Sequence, residues 1–200
     1  ALTSYVGTPT TNIALPMINT AQIPLIGCFT GAEVFRNPFQ KYIINIRASY
    51  NMECQEIVDY FVKIGKTKIA ILYQNDAYGM AGLRGTIAAL KKHNLKLVAR
   101  TTYERNTVEV DEAISVLKDA NPEAIIMIGA YAPCAEFIKK AKKAGIKALF
   151  HNVSFVGPEK LLESLGADGE GVIVTQVVPL IDADSSDYVI VDWFKSDMKK

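Results

Sequence analysis

The chain has 200 residues, 50% of them hydrophobic and 22% charged, with a formal net charge of +1 at pH 7. This composition excludes intrinsic disorder and leaves room for one large or two small hydrophobic cores. The near balance of basic and acidic residues, without a basic stripe, argues against a nucleic-acid partner. The longest apolar runs are far shorter than the roughly 20 residues of a membrane-spanning helix, so no such helix is predicted.

Residues 1–50, the first segment, differ in pattern from the remainder of the chain. They contain a Gly-Thr-Pro-Thr-Thr string at 7–11, a helical stretch near 12–20 and a strand at 24–27. These are too few strands for a complete sheet, so we expect part of a lobe in a chain that is a fragment. A dimer through this incomplete lobe is one way in which strands from a partner would complete it.

From about residue 52 the sequence alternates helical patterns with short apolar runs, which is typical of parallel strands joined by crossover helices. The predicted helices are 52–64, 79–93, one from a capping box at Asn106 and Glu109 to Asn121, 135–144 and 158–165. The predicted strands are 68–74, 97–103, 124–128, 148–152 and 171–178. Runs this apolar are buried on both faces, which requires helices on both sides of the sheet. Residues 51–178, the second segment, are therefore predicted to form a doubly wound, Rossmann-like α/β lobe.

Residues 179–200 are expected to cross back to the first lobe and to end in a helix. From 188 onward, apolar residues recur at helical spacing and no later strand covers them, so another element is expected to pack there. These residues are Val189, Val191, Trp193, Phe194 and Met198.

No arrangement of catalytic residues is visible. The three cysteines lie far apart, without the spacing of a zinc site or a redox pair, and their odd number leaves the compartment unsettled. His93 and His151 have no nucleophile motif nearby in sequence. Neither the dinucleotide-binding glycine pattern nor the P-loop pattern occurs. We therefore expect no enzyme activity, no cofactor and no metal.

Candidate binding residues follow from the predicted topology, because ligands of open parallel sheets bind beyond the carboxyl ends of the strands. Tyr78, Tyr131 and Phe155 follow three predicted strands and are expected to converge at that edge. In the first segment, Thr8 and Thr30 offer hydroxyls where a helix begins and a strand ends, which suits a carboxylate. Helix capping for the threonines and ordinary packing for the rings remain alternative explanations.

Short strings of residues, each weak alone, follow one another in a characteristic order along most of the chain. They are residues 7–10, 23–27, 29–31, 45–50 with Glu53, 73–79, 154–157 and 174–179. In this order they resemble the type I periplasmic binding proteins of the branched-chain amino-acid group. The resemblance implies a two-lobed protein in which residues 47–50 and 178–180 would be two of the crossings between the lobes.

The function that the resemblance implies is capture of a solute by hinge closure and its presentation to the membrane permease of an ABC transporter. The location would be periplasmic or extracellular, with any leader already removed, since residues 1–7 lack the features of a signal peptide. One alternative is the ligand-binding sensor domain of a signalling receptor, which uses the same fold. A flavodoxin-like α/β enzyme is a third, because a fold does not dictate a function.

By position, the resemblance implies that Thr8, Phe29 and Thr30 hold the ligand carboxylate and that Tyr78 and Tyr131 close over it. Phe155 is expected to help enclose the remainder of the ligand. Relatives that bind amino acids place a carboxylate near residues 154–157, where this chain has none. The expected ligand is therefore an amino acid or an aromatic or aliphatic carboxylate. Asp76 would supply the missing acid only if its side chain turned into the cleft.

Overall fold

The computed structural model describes residues 1–178 and 188–199, which form parallel sheets flanked by helices. The helices are α1 (Thr8–Ala21), α2 (Tyr50–Lys63), α3 (Ala77–Lys92), α4 (Asp111–Ala120), α5 (Tyr131–Lys143), α6 (Pro158–Leu165) and α7 (Val189–Asp197). The strands are β1 (Leu25–Ile26), β2 (Ile43–Ile44), β3 (Ile69–Gln74), β4 (Ala99–Tyr103), β5 (Ala124–Ile128), β6 (Leu149–Asn152) and β7 (Ile173–Val174). Short 3-10 turns cover Glu33–Phe35, Ser154–Val156 and Gly166–Gly169.

The second segment is built on one five-stranded sheet, in which all neighbouring strands are parallel and their order is β4-β3-β5-β6-β7. Ile71 and Ile126 join the core under α2 and α3, whereas Leu72 and Ile125 join a second core under α4, α5 and α6. Adjacent residues of one strand thus enter different cores, because side chains alternate between the faces of a sheet. The predicted doubly wound α/β fold is confirmed.

The first segment carries a small parallel sheet and one long helix. β1 pairs with β2, and bridges from Leu2 to Leu25 and from Val6 to Phe29 add extended backbone beside it. Proline stands near the start of α1, where its missing N–H costs no helical hydrogen bond. Inward-facing residues of this segment, Ile18 and Leu25 among them, belong to the same core as α2 and α3. The two segments are therefore packed together.

Several predicted boundaries differ from the structure, among them the start of α5, which lies at Tyr131 instead of residue 135. The capping box at Asn106 and Glu109 is wrong, because Asn106 has a φ of 63° and α4 begins only at Asp111. Asn106 instead lies in a turn in which the Thr107 hydroxyl donates to the Glu104 carbonyl. The last strand is only two residues long, since its neighbour β6 ends at Asn152. Helix α3 begins two residues before the predicted start.

The end of the chain agrees with the expected helix, α7. Residues 179–187, which include most of the predicted second crossing, lie outside the described residues. On α7, Val191 is buried, whereas Trp193, Phe194 and Met198 are exposed. Within the described residues, no helix has the length and apolar character needed to cross a membrane.

Candidate functional site

Two hydroxyls meet beneath the start of α1. The Oγ1 atoms of Thr8 and Thr30 are 2.7 Å apart, and both side chains are buried. The Thr30 hydroxyl also accepts a hydrogen bond of 3.2 Å from the backbone N–H of Ala32. Either threonine can donate within the pair, so one hydroxyl proton stays available to an incoming acceptor. A pair of this kind can serve a ligand carboxylate.

Aromatic rings from both segments meet beyond the carboxyl ends of the strands. Phe29 of the first segment contacts Phe155 at a centroid distance of 5.1 Å, and Phe155 contacts Tyr78 at 4.7 Å. The Tyr78 hydroxyl donates to the Gly129 carbonyl (3.3 Å), which fixes the ring between the ends of β3 and β5. Phe29 is 47% exposed, whereas Tyr78 is buried. Together these rings form an apolar wall with one accessible end.

Tyr50 connects the aromatic wall to the threonine side. Its ring lies 5.3 Å from that of Tyr78, and its backbone N–H donates to the Gly31 carbonyl at 2.7 Å. A Cβ on Gly31 would lie only 2.6 Å from the Tyr50 ring, so this close approach requires glycine. Burial raises the pKa of Tyr50 to about 12, against the opposing effect of the Arg47 charge. Tyr50 was not predicted as a site residue, although it ends the family-like string at 45–50.

A buried ion pair lies behind the same wall. Arg47 and Glu53 are joined at 2.8 Å, and their side chains are only 4% and 1% exposed. The Arg47 guanidinium is also placed over the Phe29 ring, 5.1 Å from its centroid. Such a pair is stable in the interior only when its geometry is good and further hydrogen bonds satisfy it. Within the described residues, only Nη2 of Arg47 makes hydrogen bonds, whereas its Nε and Nη1 atoms are buried without a partner. Sequence reasoning noted both residues within the family-like strings and Arg47 in a predicted crossing, but gave neither a role at the site.

Tyr131 stands apart from the other predicted residues. It is the first residue of α5, is 42% exposed and lies beside Gly157. It lines a cavity of about 540 Å³ together with Gln74 and Glu109. Thr8 lines a different cavity of about 430 Å³, which Asn51 and Arg84 of the second segment border from the other side. The structure thus brings Thr8 to Thr30 and Phe29 to Tyr78 and Phe155, but places Tyr131 on a separate cavity.

The Asp76 carboxylate is engaged in hydrogen bonds within the chain. One carboxylate oxygen accepts hydrogen bonds from the backbone N–H groups of Tyr78 (2.8 Å) and Gly79 (3.1 Å). The other accepts from the Gln74 amide at 2.6 Å. The carboxylate is therefore committed to capping α3 and to holding Gln74.

The described residues offer no metal centre, since no three His, Cys, Asp or Glu side chains among them come together as ligands. The cysteines at 28, 54 and 134 are free and buried. Burial raises the pKa of the Cys54 thiol to about 12 and shifts that of Cys134 in the same direction. These thiols are protonated at neutral pH and are poor nucleophiles.

A doubly wound sheet packed on a second, smaller parallel sheet, with hydroxyls and aromatic rings at their junction, agrees with a two-lobed α/β architecture. Comparison with known families makes the assignment specific. The sequence model of the family described as "Periplasmic binding protein" matches residues 1–198, and the chain belongs to this family.

Individual relatives agree with this assignment. The leucine-specific-binding protein of Salmonella typhimurium is 26% identical over 132 residues, which cover 66% of this chain and 36% of that protein. A solved structure of a possible leucine/isoleucine/valine-binding protein from Rhodopirellula baltica is 36% identical, with a TM-score of 0.91, over 100% of this chain and 55% of that one. A substrate-binding periplasmic protein from Ralstonia solanacearum is 28% identical, with a TM-score of 0.86, over 100% and 57%. The chain thus spans between about a third and just over half of the length of these relatives.

Proposed function

We propose that the complete protein captures a small carboxylate, an amino acid or a similar acid, by closing two lobes around it. It then delivers the solute to the membrane permease of an ABC transporter from a periplasmic or extracellular location. The relatives named above are binding proteins, and the proposed role accordingly involves no catalysis. The whole-protein role is a proposal because the chain covers only part of the length of each relative.

The observation that carries this proposal is the meeting of the two segments at residues of complementary chemistry. The buried Thr8–Thr30 pair offers a hydroxyl proton, while Phe29 lies against Phe155 across the junction. A carboxylate needs donors in a place shielded from water, and an apolar side chain needs rings. Thr8, Phe29 and Thr30 on one side, with Tyr78 and Phe155 on the other, are proposed as the ligand contacts. Tyr131 is proposed to reach the ligand only if α5 moves when the lobes close.

One feature of this chain bears on the class of its ligand, namely the absence of a carboxylate near residues 154–157. The Asp76 carboxylate caps α3, so it does not replace that acid. An aromatic or aliphatic acid without an ammonium group fits this environment well, because no ammonium would be left unpaired. Amino acids stay within the proposed class, since the relatives include leucine-binding proteins.

The test is a calorimetric screen of the complete protein against the common amino acids and a set of aromatic and aliphatic carboxylates. We expect at least one compound to bind with micromolar or tighter affinity. In a Thr30→Val variant, which keeps the shape but loses the hydroxyl, binding should weaken by about 1–3 kcal/mol.

The matched control is Ser115→Ala, because the exposed Ser115 hydroxyl donates to the Asp111 carbonyl in α4, away from the proposed ligand contacts. This variant should bind like the wild-type protein. Absence of binding across the whole screen would contradict the proposed function. Equal losses in the two variants would contradict the role of Thr30.

A further inference from the structure

Arg47, Glu53 and Ser154 form a closed hydrogen-bonded ring. One guanidinium nitrogen of Arg47, Nη2, donates both to a Glu53 oxygen (2.8 Å) and to the Ser154 hydroxyl (2.6 Å). The second Glu53 oxygen accepts the backbone N–H of Ser154 at 2.9 Å. The backbone of Ser154 is thus held by Glu53, which lies in the first turn of α2, and its side chain is held by Arg47, which precedes that helix.

This ring is attached directly to the aromatic wall. Ser154 begins the 3-10 turn whose next residue, Phe155, contacts Phe29 and Tyr78. Arg47 is itself placed over the Phe29 ring, and its backbone carbonyl accepts a hydrogen bond of 3.0 Å from Arg36. A shift in these hydrogen bonds would therefore move the aromatic side chains of Phe29 and Phe155, which face each other across the junction.

Stability alone gives little reason for a buried ion pair at this place. Removing two charges from water carries a desolvation penalty, and well-packed apolar residues often do as well or better. What charged groups with fixed hydrogen bonds add is a unique geometry. Here that geometry belongs to the turn that begins at Ser154, 101 positions after Glu53 in the sequence, and presents Phe155.

We propose that Arg47, Glu53 and Ser154 are positioning residues that fix Phe155 against Phe29 and thereby set the affinity of the cleft. The link to affinity rests on the proposed function, whereas the positioning of the turn does not. Arg47 and Glu53 act through Ser154, so none of the three needs to touch the ligand.

The first measurement is amide hydrogen exchange in the complete, unliganded protein. Ser154→Ala removes only the hydroxyl and leaves the Arg47–Glu53 pair intact, so the variant is expected to fold. We expect exchange at the Ser154 and Val156 amides to become about three- to tenfold faster, the effect of losing one hydrogen bond. Ser154→Thr keeps the hydroxyl and should restore the wild-type rates, and the Leu161 amide in α6 should not change.

The second measurement is the dissociation constant for L-leucine, L-phenylalanine and benzoate. For the tightest binder of the three, Ser154→Ala should weaken binding about three- to tenfold, and Ser154→Thr should recover it. The matched control is Ser115→Ala, which removes an exposed hydroxyl that donates to the Asp111 carbonyl in α4. It should leave both exchange in the turn and affinity unchanged.

The outcomes separate the two proposals. Unchanged exchange in Ser154→Ala overturns the positioning role, whether or not a probe binds. Faster exchange with unchanged affinity overturns the link to binding. If none of the three probes binds to the wild type or to any variant, the three residues set no affinity for these probes. The link to binding is then overturned as well. The proposed function then stands or falls on the wider screen, and exchange alone decides the positioning role.

Discussion

At the scale of single residues, the titration of His151 gives the most direct prediction. Its ring is buried and makes T-shaped contacts with the rings of Phe61 and Tyr60, and burial lowers its pKa from 6.5 to about 4. The neutral form is therefore favoured in the folded state, and the unfolded chain takes up the proton first. The histidine penalises the fold only as the pH falls below the unfolded pKa.

Above pH 6.5, we expect the contribution of His151 to the free energy of unfolding to be independent of pH. As the pH drops toward 4, protonation of this histidine in the unfolded chain should lower the free energy of unfolding by up to about 3 kcal/mol. Urea unfolding of wild type and His151→Phe across this range measures the difference. The phenylalanine variant, which fills the same aromatic site, should lack this part of the loss. Carboxylates with a lowered pKa, such as Asp59, act at lower pH and do not confuse the comparison. Parallel curves for the two proteins would contradict the prediction.

The same scale shows what spacing in the sequence can and cannot reveal about a site. Tyr78 and Phe155 were predicted to converge because each comes shortly after a strand, and parallel strands end at a common edge; their rings do meet in the structure. The contact between Arg47 and Ser154 joins residues 107 positions apart, and no local pattern encodes it. Tyr131 satisfies the strand-end rule equally well, yet its place at the start of α5 turns it to a different cavity. Its direction depends on tertiary packing.

At the scale of elements, the cap of α3 is the contact that sets the position of Tyr78. The Asp76 carboxylate accepts two N–H groups at the first turn and the Gln74 amide besides. Asp76→Ala should lower the free energy of unfolding by about 1 kcal/mol, whereas Asp76→Asn, which keeps a capping oxygen, should cost much less. Chemical denaturation of the two variants tests this. Equal losses would show that the cap contributes nothing specific.

Strands were predicted better than helix starts for a physical reason. The interiors of β3 and β5 are continuous apolar runs, and burial on both faces leaves such runs few alternatives. Helix starts depend on single polar residues whose local signals are ambiguous. Asn106 fits a capping box and a left-handed turn equally well, and the structure uses the turn. Asp76 was considered as ligand chemistry, whereas the helix uses it as a cap.

At the scale of the whole molecule, one core crosses the predicted boundary at residue 50. Ala14 and Phe35 belong to the same buried cluster as Ile57 and Ile71. Compact lobes were predicted because the patterns of the two segments differ, and that division stays a prediction. The shared core means that the first segment is held by the second, even though its own sheet has only two strands.

The first segment also exposes several large apolar side chains. On α1, Ile13 is 77% and Met17 is 72% exposed, and other exposed side chains of this segment are Phe39, Ile44 and Ile46. Exposed apolar side chains in such number favour association, because burying them at an interface removes apolar surface from water. Relatives are about twice as long as this chain, so in the complete protein further residues are expected to cover these side chains.

The 200-residue chain alone is therefore expected to self-associate through the first segment, and sedimentation equilibrium over a range of concentrations measures this. A double variant, Ile13→Lys with Met17→Lys, should shift the chain toward monomer, since a charge buried at an interface carries a large desolvation cost. Leu162→Lys is the matched control, because Leu162 is an exposed aliphatic residue on α6 of the second segment. A chain that is monomeric at every concentration would contradict the predicted self-association. Association that persists with both lysines in α1 would show that a different surface mediates it.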